Sequence, residues 1–176
     1  MLKKISITGP ESTGKSTLAE QLATHFNTIC VPEYARYFVD NMAEGRHYIA
    51  SDLWHIARQQ MALEDIYYKK ATANRFLFCD TDLLVIKIWS VVAYHYVPEW
   101  LEQIWQERCR RYALFLLLDT DLPWQYDPQR EHEHLRGHLF RCYRAELEAL
   151  QLPFVVVSGT GNNRAETALR AIKDLG

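Results

Sequence analysis

A chain of 176 residues, 48% hydrophobic and 24% charged, is long enough to bury a core without a metal or disulfide staple, and one domain over 1–176 is expected. Its net charge of −2, with no block of like charge, excludes a nucleic-acid backbone or an anionic membrane surface as the main partner. Four scattered cysteines (Cys30, Cys79, Cys109, Cys142) form no CxxC pair, which excludes a zinc cluster or redox dithiol and fits a reducing cytosol.

Met1 to Lys4 imitates the basic start of a signal peptide, but Gly9-Pro10-Glu11 interrupts the apolar stretch after a few residues. No run approaches the ~18 apolar residues of a membrane span, so a cytoplasmic protein is expected. From there, short apolar runs alternate with stretches of helical period. The first predicted strand is Ile5–Thr8, and Gly9-Pro10-Glu11-Ser12-Thr13-Gly14-Lys15-Ser16-Thr17 follows at once, a full match to GxxxxGK(S/T). Gly9 and Gly14 admit backbone angles closed to other residues, so successive amides, those of Glu11, Ser12 and Thr13 among them, can turn inward on a β-phosphate. A helix starting here, with Leu18, Leu22 and Phe26 at helical spacing, sets its positive end against that anion. Lys15 is expected to reach the β- and γ-phosphates, and Ser16, next to Thr17, to take a magnesium coordination position. ATP with Mg2+ is the expected cofactor pair.

The second predicted strand, Thr28–Val31, delivers Pro32-Glu33-Tyr34-Ala35-Arg36 beside that loop. A carboxylate at Glu33 can orient an acceptor hydroxyl and take its proton, and Arg36 can hold the acceptor or the γ-phosphate. The same two residues would also suit a surface helix start. Leu53, Ile56, Ala57, Gln60, Glu64 and Tyr67 mark a later helix whose apolar face carries two polar groups four apart, Gln60 and Glu64. Inward polar groups need partners, either a hydroxyl-bearing substrate or a buried structural hydrogen bond. The third strand, Phe76–Cys79, ends in Asp80-Thr81-Asp82. A carboxylate at a strand end can hold a magnesium-bound water, which makes Asp80 the metal candidate. Asp82 either faces metal or substrate, or caps a helix beginning at Leu83.

After the fourth strand, Ala113–Leu118, comes Asp121-Leu122-Pro123-Trp124-Gln125-Tyr126-Asp127-Pro128-Gln129-Arg130 and, further on, Arg136. Pro123 and Pro128 forbid regular helix, and the stretch is too long for a tight turn. A lid over approximately 121–137 is expected, with Arg130 and Arg136 closing on the transferring phosphoryl group and His132 and His134 facing solvent. Leu135, Leu139, Tyr143 and Leu147 mark the next helix, and Phe154–Val157 the fifth strand. Small residues at Ser158 to Gly161 would let the chain pass close to an adenine ring, with Asn162 and Arg164 as cofactor contacts; Asn162 or Asn163 could instead cap the last helix, marked by Ala165, Ala168, Leu169 and Ile172. Strands without polar alternation, separated by amphipathic helices, give an α/β parallel sheet covered on both faces, with ligands at the carboxyl ends of the strands.

In combination, GPESTGKST, PEYAR, DTD, PWxxDPxRE with its later Arg, and the closing VVSG with its following Arg resemble an AAA-type ATPase/kinase group. That group contains the ribosylnicotinamide kinase domain of the bifunctional NAD-biosynthesis regulator, the NadR-like P-loop kinases. The resemblance runs in order over nearly the whole chain. It implies a P-loop NTPase kinase fold with a five-stranded parallel sheet in the order 2-3-1-4-5, and ATP-dependent phosphorylation of the 5′-hydroxyl of nicotinamide riboside or a related nucleoside. It places Gly14, Lys15, Ser16 and Thr17 on ATP and magnesium, Glu33, Asp80 and Asp82 on acceptor and metal, and Arg130 and Arg136 in the lid. Pro32 stands where such kinases often carry a Trp, and Asp65 where a helix aromatic is expected, so ring stacking would fall to Tyr37, Trp54, Trp89, Trp124 or Tyr126. A kinase for another nucleoside or sugar would keep the remaining residues, whereas an ATP-dependent switch needs no acceptor. Oligomeric state has no signal in the sequence.

Overall fold

Five parallel strands form one sheet in the order β2-β3-β1-β4-β5: β1 (Lys3–Thr8), β2 (Cys30–Val31), β3 (Phe76–Asp80), β4 (Tyr112–Leu118) and β5 (Phe154–Val157). The computed structural model describes residues 1–43, 45–46, 48–71, 73–127 and 133–175. The order is the one the motif resemblance implies. The apolar runs of β1, β3 and β4 are buried on both sides, as a covered parallel sheet requires. On one face, α1 (Lys15–His25) and α7 (Asn162–Lys173) pack Leu18, Leu22, Ala168 and Ile172 against Ile5, Ile7, Phe76, Phe78, Leu114 and Leu116. On the other, α3 (Ala50–Lys70), α4 (Leu83–Tyr94), α5 (Glu99–Arg108) and α6 (Arg136–Ala149) cover Leu77, Cys79, Phe115 and Leu117. The short α2 (Tyr34–Asp40) follows β2.

Four strands differ from expectation at their ends, β3 by running one residue further, to Asp80. β1 begins two residues earlier, at Lys3, and β4 one earlier, at Tyr112. β2 is only Cys30–Val31, because Thr28 closes α1 instead: its amide donates to Ala23 O at 2.9 Å and its hydroxyl to Phe76 O at 2.7 Å. Helix α5 had no place among the expected elements and α4 only its start at Leu83; α4 reads LLVIKIWSVVAY and is apolar on nearly every side. No helix among the described residues is long and apolar enough to cross a membrane.

Glu64 belongs to the amino ends of the strands. The register slips between Lys4 and Ile5 where β1 meets β4, so Lys4 pairs with Tyr112 and Ile5 with Leu114. That bulge re-aims Tyr112 onto the α3 face. There its hydroxyl donates to Glu64 Oε1 at 2.7 Å, while Lys4 Nζ donates to Oε2 at 2.6 Å and lies 3.9 Å from the Tyr112 ring centroid. Both charges are almost fully buried. Glu64→Ala leaves an ammonium buried without its carboxylate and is expected to cost roughly 3–5 kcal/mol of unfolding free energy, read from urea midpoints. A loss below about 1 kcal/mol would show that the cluster does not hold this end of the sheet.

Candidate functional site

The sheet opens on a cavity of about 760 Å³ at the carboxyl ends of β1 and β3, lined by the whole Gly9–Thr17 loop, Glu33, Arg36, Gln60 and Thr81. β1 leads to α1 on one face and β3 to α4 on the other, so their connections part here, which is where crevices form in such sheets. The loop turns at Gly9 (φ 135°), where a Cβ would stand 2.9 Å from Leu118 O; only glycine lets the loop pass so close to β4. Gly14 (φ 81°) caps α1, and Thr13 Oγ1 donates to Pro10 O at 2.9 Å. Lys15 Nζ donates to Gly9 O at 3.0 Å and to Pro10 O at 2.8 Å, which holds its ammonium over the loop.

Beside the loop, a Ser16 hydrogen bond lowers the affinity of Asp80 for its proton, but burial pushes that carboxyl up more strongly. Asp80 Oδ1 is buried with no hydrogen-bond partner. A hydroxyl and an orphaned carboxylate oxygen side by side fit a hydrated magnesium, which keeps several waters and takes phosphate oxygens for the rest of its shell. Such a site needs no cluster of three His, Cys, Asp or Glu, and none occurs among the described residues. Thr81 follows at φ 81°, a left-handed conformation that is costly for a β-branched residue, and its buried hydroxyl also lacks a partner.

Glu33 occupies the N-cap position of α2, but its side chain makes no cap bond. Gln60 fixes the residues on either side of it. Its Oε1 accepts from the Tyr34 amide at 2.8 Å and its Nε2 donates to Pro32 O at 3.4 Å. Burial raises the Glu33 carboxyl above the ordinary range; Lys15 and Arg36 pull it down, and Asp80 and Glu11 push it up. Charged groups from three segments of the chain thus act on Glu33 at this point. Arg36 also pairs with Asp127 at 3.0 Å, which ties the start of the expected lid to α2.

Other candidates stand elsewhere or work differently. Asp82 is fully buried; it accepts from the Leu84 amide at 2.7 Å and from the Ser6 hydroxyl, and burial pushes it up to about 6. It is the cap of α4 and does not line the cavity, because the turn at Thr81 breaks the alternation that would have set it beside Asp80. Glu64, in the buried cluster with Lys4 and Tyr112, does not line the cavity either, which corrects its expected place on the substrate. Arg136 donates from Nη2 to Ser12 O and to Leu122 O, both at 3.0 Å, and Gln125 N donates to Ser12 Oγ at 2.9 Å. This part of the expected lid contacts the phosphate loop itself. Arg130 and His132 lie outside the described residues. Asn162 lines the cavity as the first residue of α7, with Gly161 in the cap position. Arg164 lines it too, yet its guanidinium is engaged by Gly159 O, Val157 O and the Asp121 carboxylate, so it shapes the loop after β5.

Of the five aromatic candidates only Trp89 lines the cavity. Tyr37 and Tyr126 are exposed, Trp54 packs on Trp100, and Trp124 lies beneath Arg136. Tyr48 joins Trp89 in the lining; it had no motif to announce it.

A phosphate loop after β1, an acidic end to β3 and this strand order define a P-loop kinase fold. The AAA domain family profile matches residues 4–164, and the chain belongs to that family. Over 142 residues it is 29% identical to the trifunctional NAD biosynthesis/regulator protein NadR of Salmonella typhimurium; the matched region is 73% of this chain and 31% of that protein. The chain thus spans under a third of the length of that curated relative. A crystal structure of NadR protein in complex with NR superposes with a TM-score of 0.76 at 22% identity, over 98% of this chain and 51% of the other. Thymidylate kinase from Ehrlichia chaffeensis shares the fold at a TM-score of 0.61 and 13% identity, over 99% of both chains.

Proposed function

We propose that this protein is an ATP- and magnesium-dependent kinase that phosphorylates the 5′-hydroxyl of a nucleoside, nicotinamide riboside first among them. The observation that carries the reading is Glu33, which lines the same cavity as the phosphate loop and whose neighbours Pro32 and Tyr34 are both held by Gln60. The choice of nicotinamide riboside rests on the likeness to NadR and its complex with NR.

In this mechanism the loop amides and Lys15 hold the polyphosphate, and Gln60 keeps Glu33 in place beside it. The acceptor oxygen attacks the γ-phosphorus, its proton passes to Glu33, and the bond to the leaving ADP oxygen breaks. Magnesium at Ser16 and, through water, Asp80 would neutralise charge on the phosphate oxygens. Arg36, and Arg130 from the lid, would meet the charge on the moving phosphoryl group, and Arg136 acts indirectly by bracing Ser12. Placement and charge supply the acceleration, since no covalent bond to the protein forms.

The test is ADP formation with and without a panel of nucleosides and sugars. Strong stimulation by nicotinamide riboside is expected. Stimulation by another nucleoside alone would keep the reaction and change the substrate. Turnover indifferent to every acceptor would sink the kinase reading in favour of a switch.

A further inference from the structure

We infer that Trp89 and Tyr48 form the wall on which the planar base of the acceptor packs, so that the site selects nucleosides over acceptors without an aromatic ring. The inference rests on the kinase reading above and adds to it where the acceptor's specificity lies.

The cavity is not uniform. One side is the charged phosphate loop with Glu33 and Arg36; much of the rest is apolar, and α4 gives more of that lining than any other helix. Val85, Ile86, Ile88, Trp89 and Val92 share the face of α4 that lines it, whereas Leu83, Leu84 and Ser90 of the same helix are buried and do not line it. Trp89 is half-buried, unlike those neighbours. Tyr48 approaches it from the segment before α3, with ring centroids 4.5 Å apart at 67°. The indole Nε1 donates to the Tyr48 hydroxyl at 3.1 Å, and the Tyr94 hydroxyl donates to Tyr48 O at 3.4 Å.

These bonds have a chemical consequence. The only hydrogen-bond donor of the indole is already taken, and both rings are fixed in place. What the pair offers a ligand is π surface that makes no polar demand. A planar heterocycle can cover that surface and remove it from water; a bare sugar, with hydroxyls on every side, cannot do so without leaving them unpaired. Every base has a π face, so the wall recognises the class of nucleosides and leaves the choice among bases to polar groups around it.

Initial rates of the full chain are measured against nicotinamide riboside, adenosine and ribose, with ATP varied separately. Trp89→Ala is expected to raise KM for the nucleoside roughly 10–100-fold, with kcat changed only a few-fold and KM for ATP unmoved. Trp89→Phe, which returns a ring, should bring KM back to within about 3-fold of the starting value. Trp89→Leu keeps apolar bulk without a π face and covers the case in which alanine fails to fold. Wild-type nucleoside KM in the alanine or leucine variant overturns the wall, as does a parallel rise in KM for ATP. Efficient phosphorylation of ribose by the unaltered protein also overturns it. If the unaltered protein phosphorylates no nucleoside, the kinase reading itself has failed, and that is visible before any variant is made.

Discussion

Lys15→Ala is expected to leave a folded chain whose phosphoryl transfer is slower by roughly 10²–10³-fold or more. The side chain is the one ammonium of the phosphate loop, and its contacts are the carbonyls of Gly9 and Pro10, both inside that loop. Nothing in the core depends on it, and alanine at the first position of α1 suits a helix at least as well as lysine. The loss should therefore appear in turnover and ATP affinity while the thermal midpoint stays within a few degrees. Normal turnover in this variant would remove the phosphate loop from the mechanism.

Glu33→Gln carries the second large effect, a fall of roughly 10²–10⁴-fold in kcat. Its pH dependence is what separates a base from a mere contact. A base works only when ionised, and burial holds this carboxyl above the ordinary carboxylate range. The rate of the unaltered protein should therefore fall with decreasing pH at a higher pH than the ~4.3 of a free glutamate, and glutamine should abolish that limb. Stability should move the other way. A carboxyl whose pKa is raised in the folded state favours folding only at low pH, and that contribution is lost as pH rises through the raised value, so near neutrality the charge is a burden on the fold. Glu33→Gln is expected to melt at or above the temperature of the unaltered protein. A variant that keeps the acid limb, or loses activity together with its melting temperature, would refute the assignment of Glu33 as base.

The parts of the site carried by contiguous residues were legible in the sequence. The phosphate loop needs two glycines, a lysine and a hydroxyl at fixed spacing, and local backbone geometry does the rest. Asp80 was legible for a similar reason, as the polar end of an apolar strand. The strand order came through the motif resemblance; apolar runs alone do not say which strand lies beside which.

Groups whose role depends on remote partners were not legible. Gln60 and Glu64 are one helical turn apart on the same face, and nothing local tells them apart. Yet α3 runs back toward the start of β3, so the first reaches the Pro32–Tyr34 backbone beside the cavity, and the second lies a turn nearer the amino ends of the strands, where Lys4 waits. Tyr112 completes that cluster only because of the register slip in β4, which has no sequence mark. Asp82 left two readings open, and the left-handed turn at Thr81 decided for the cap. Trp89 and Tyr48 meet across 41 positions of the chain, one from a helix too uniformly apolar to show a face and one from an irregular segment.

The placement of Glu64 with Lys4 and Tyr112 also bears on how this scaffold can change over evolutionary time. A buried charged cluster whose loss is expected to be costly sits at the opposite ends of the strands from the cavity. Drift along the cavity-lining positions of α4 and the segment before α3 can thus reshape the cavity without eroding the foundation beneath. A lineage built on this chain has room to diversify its chemistry while its folding core stands still.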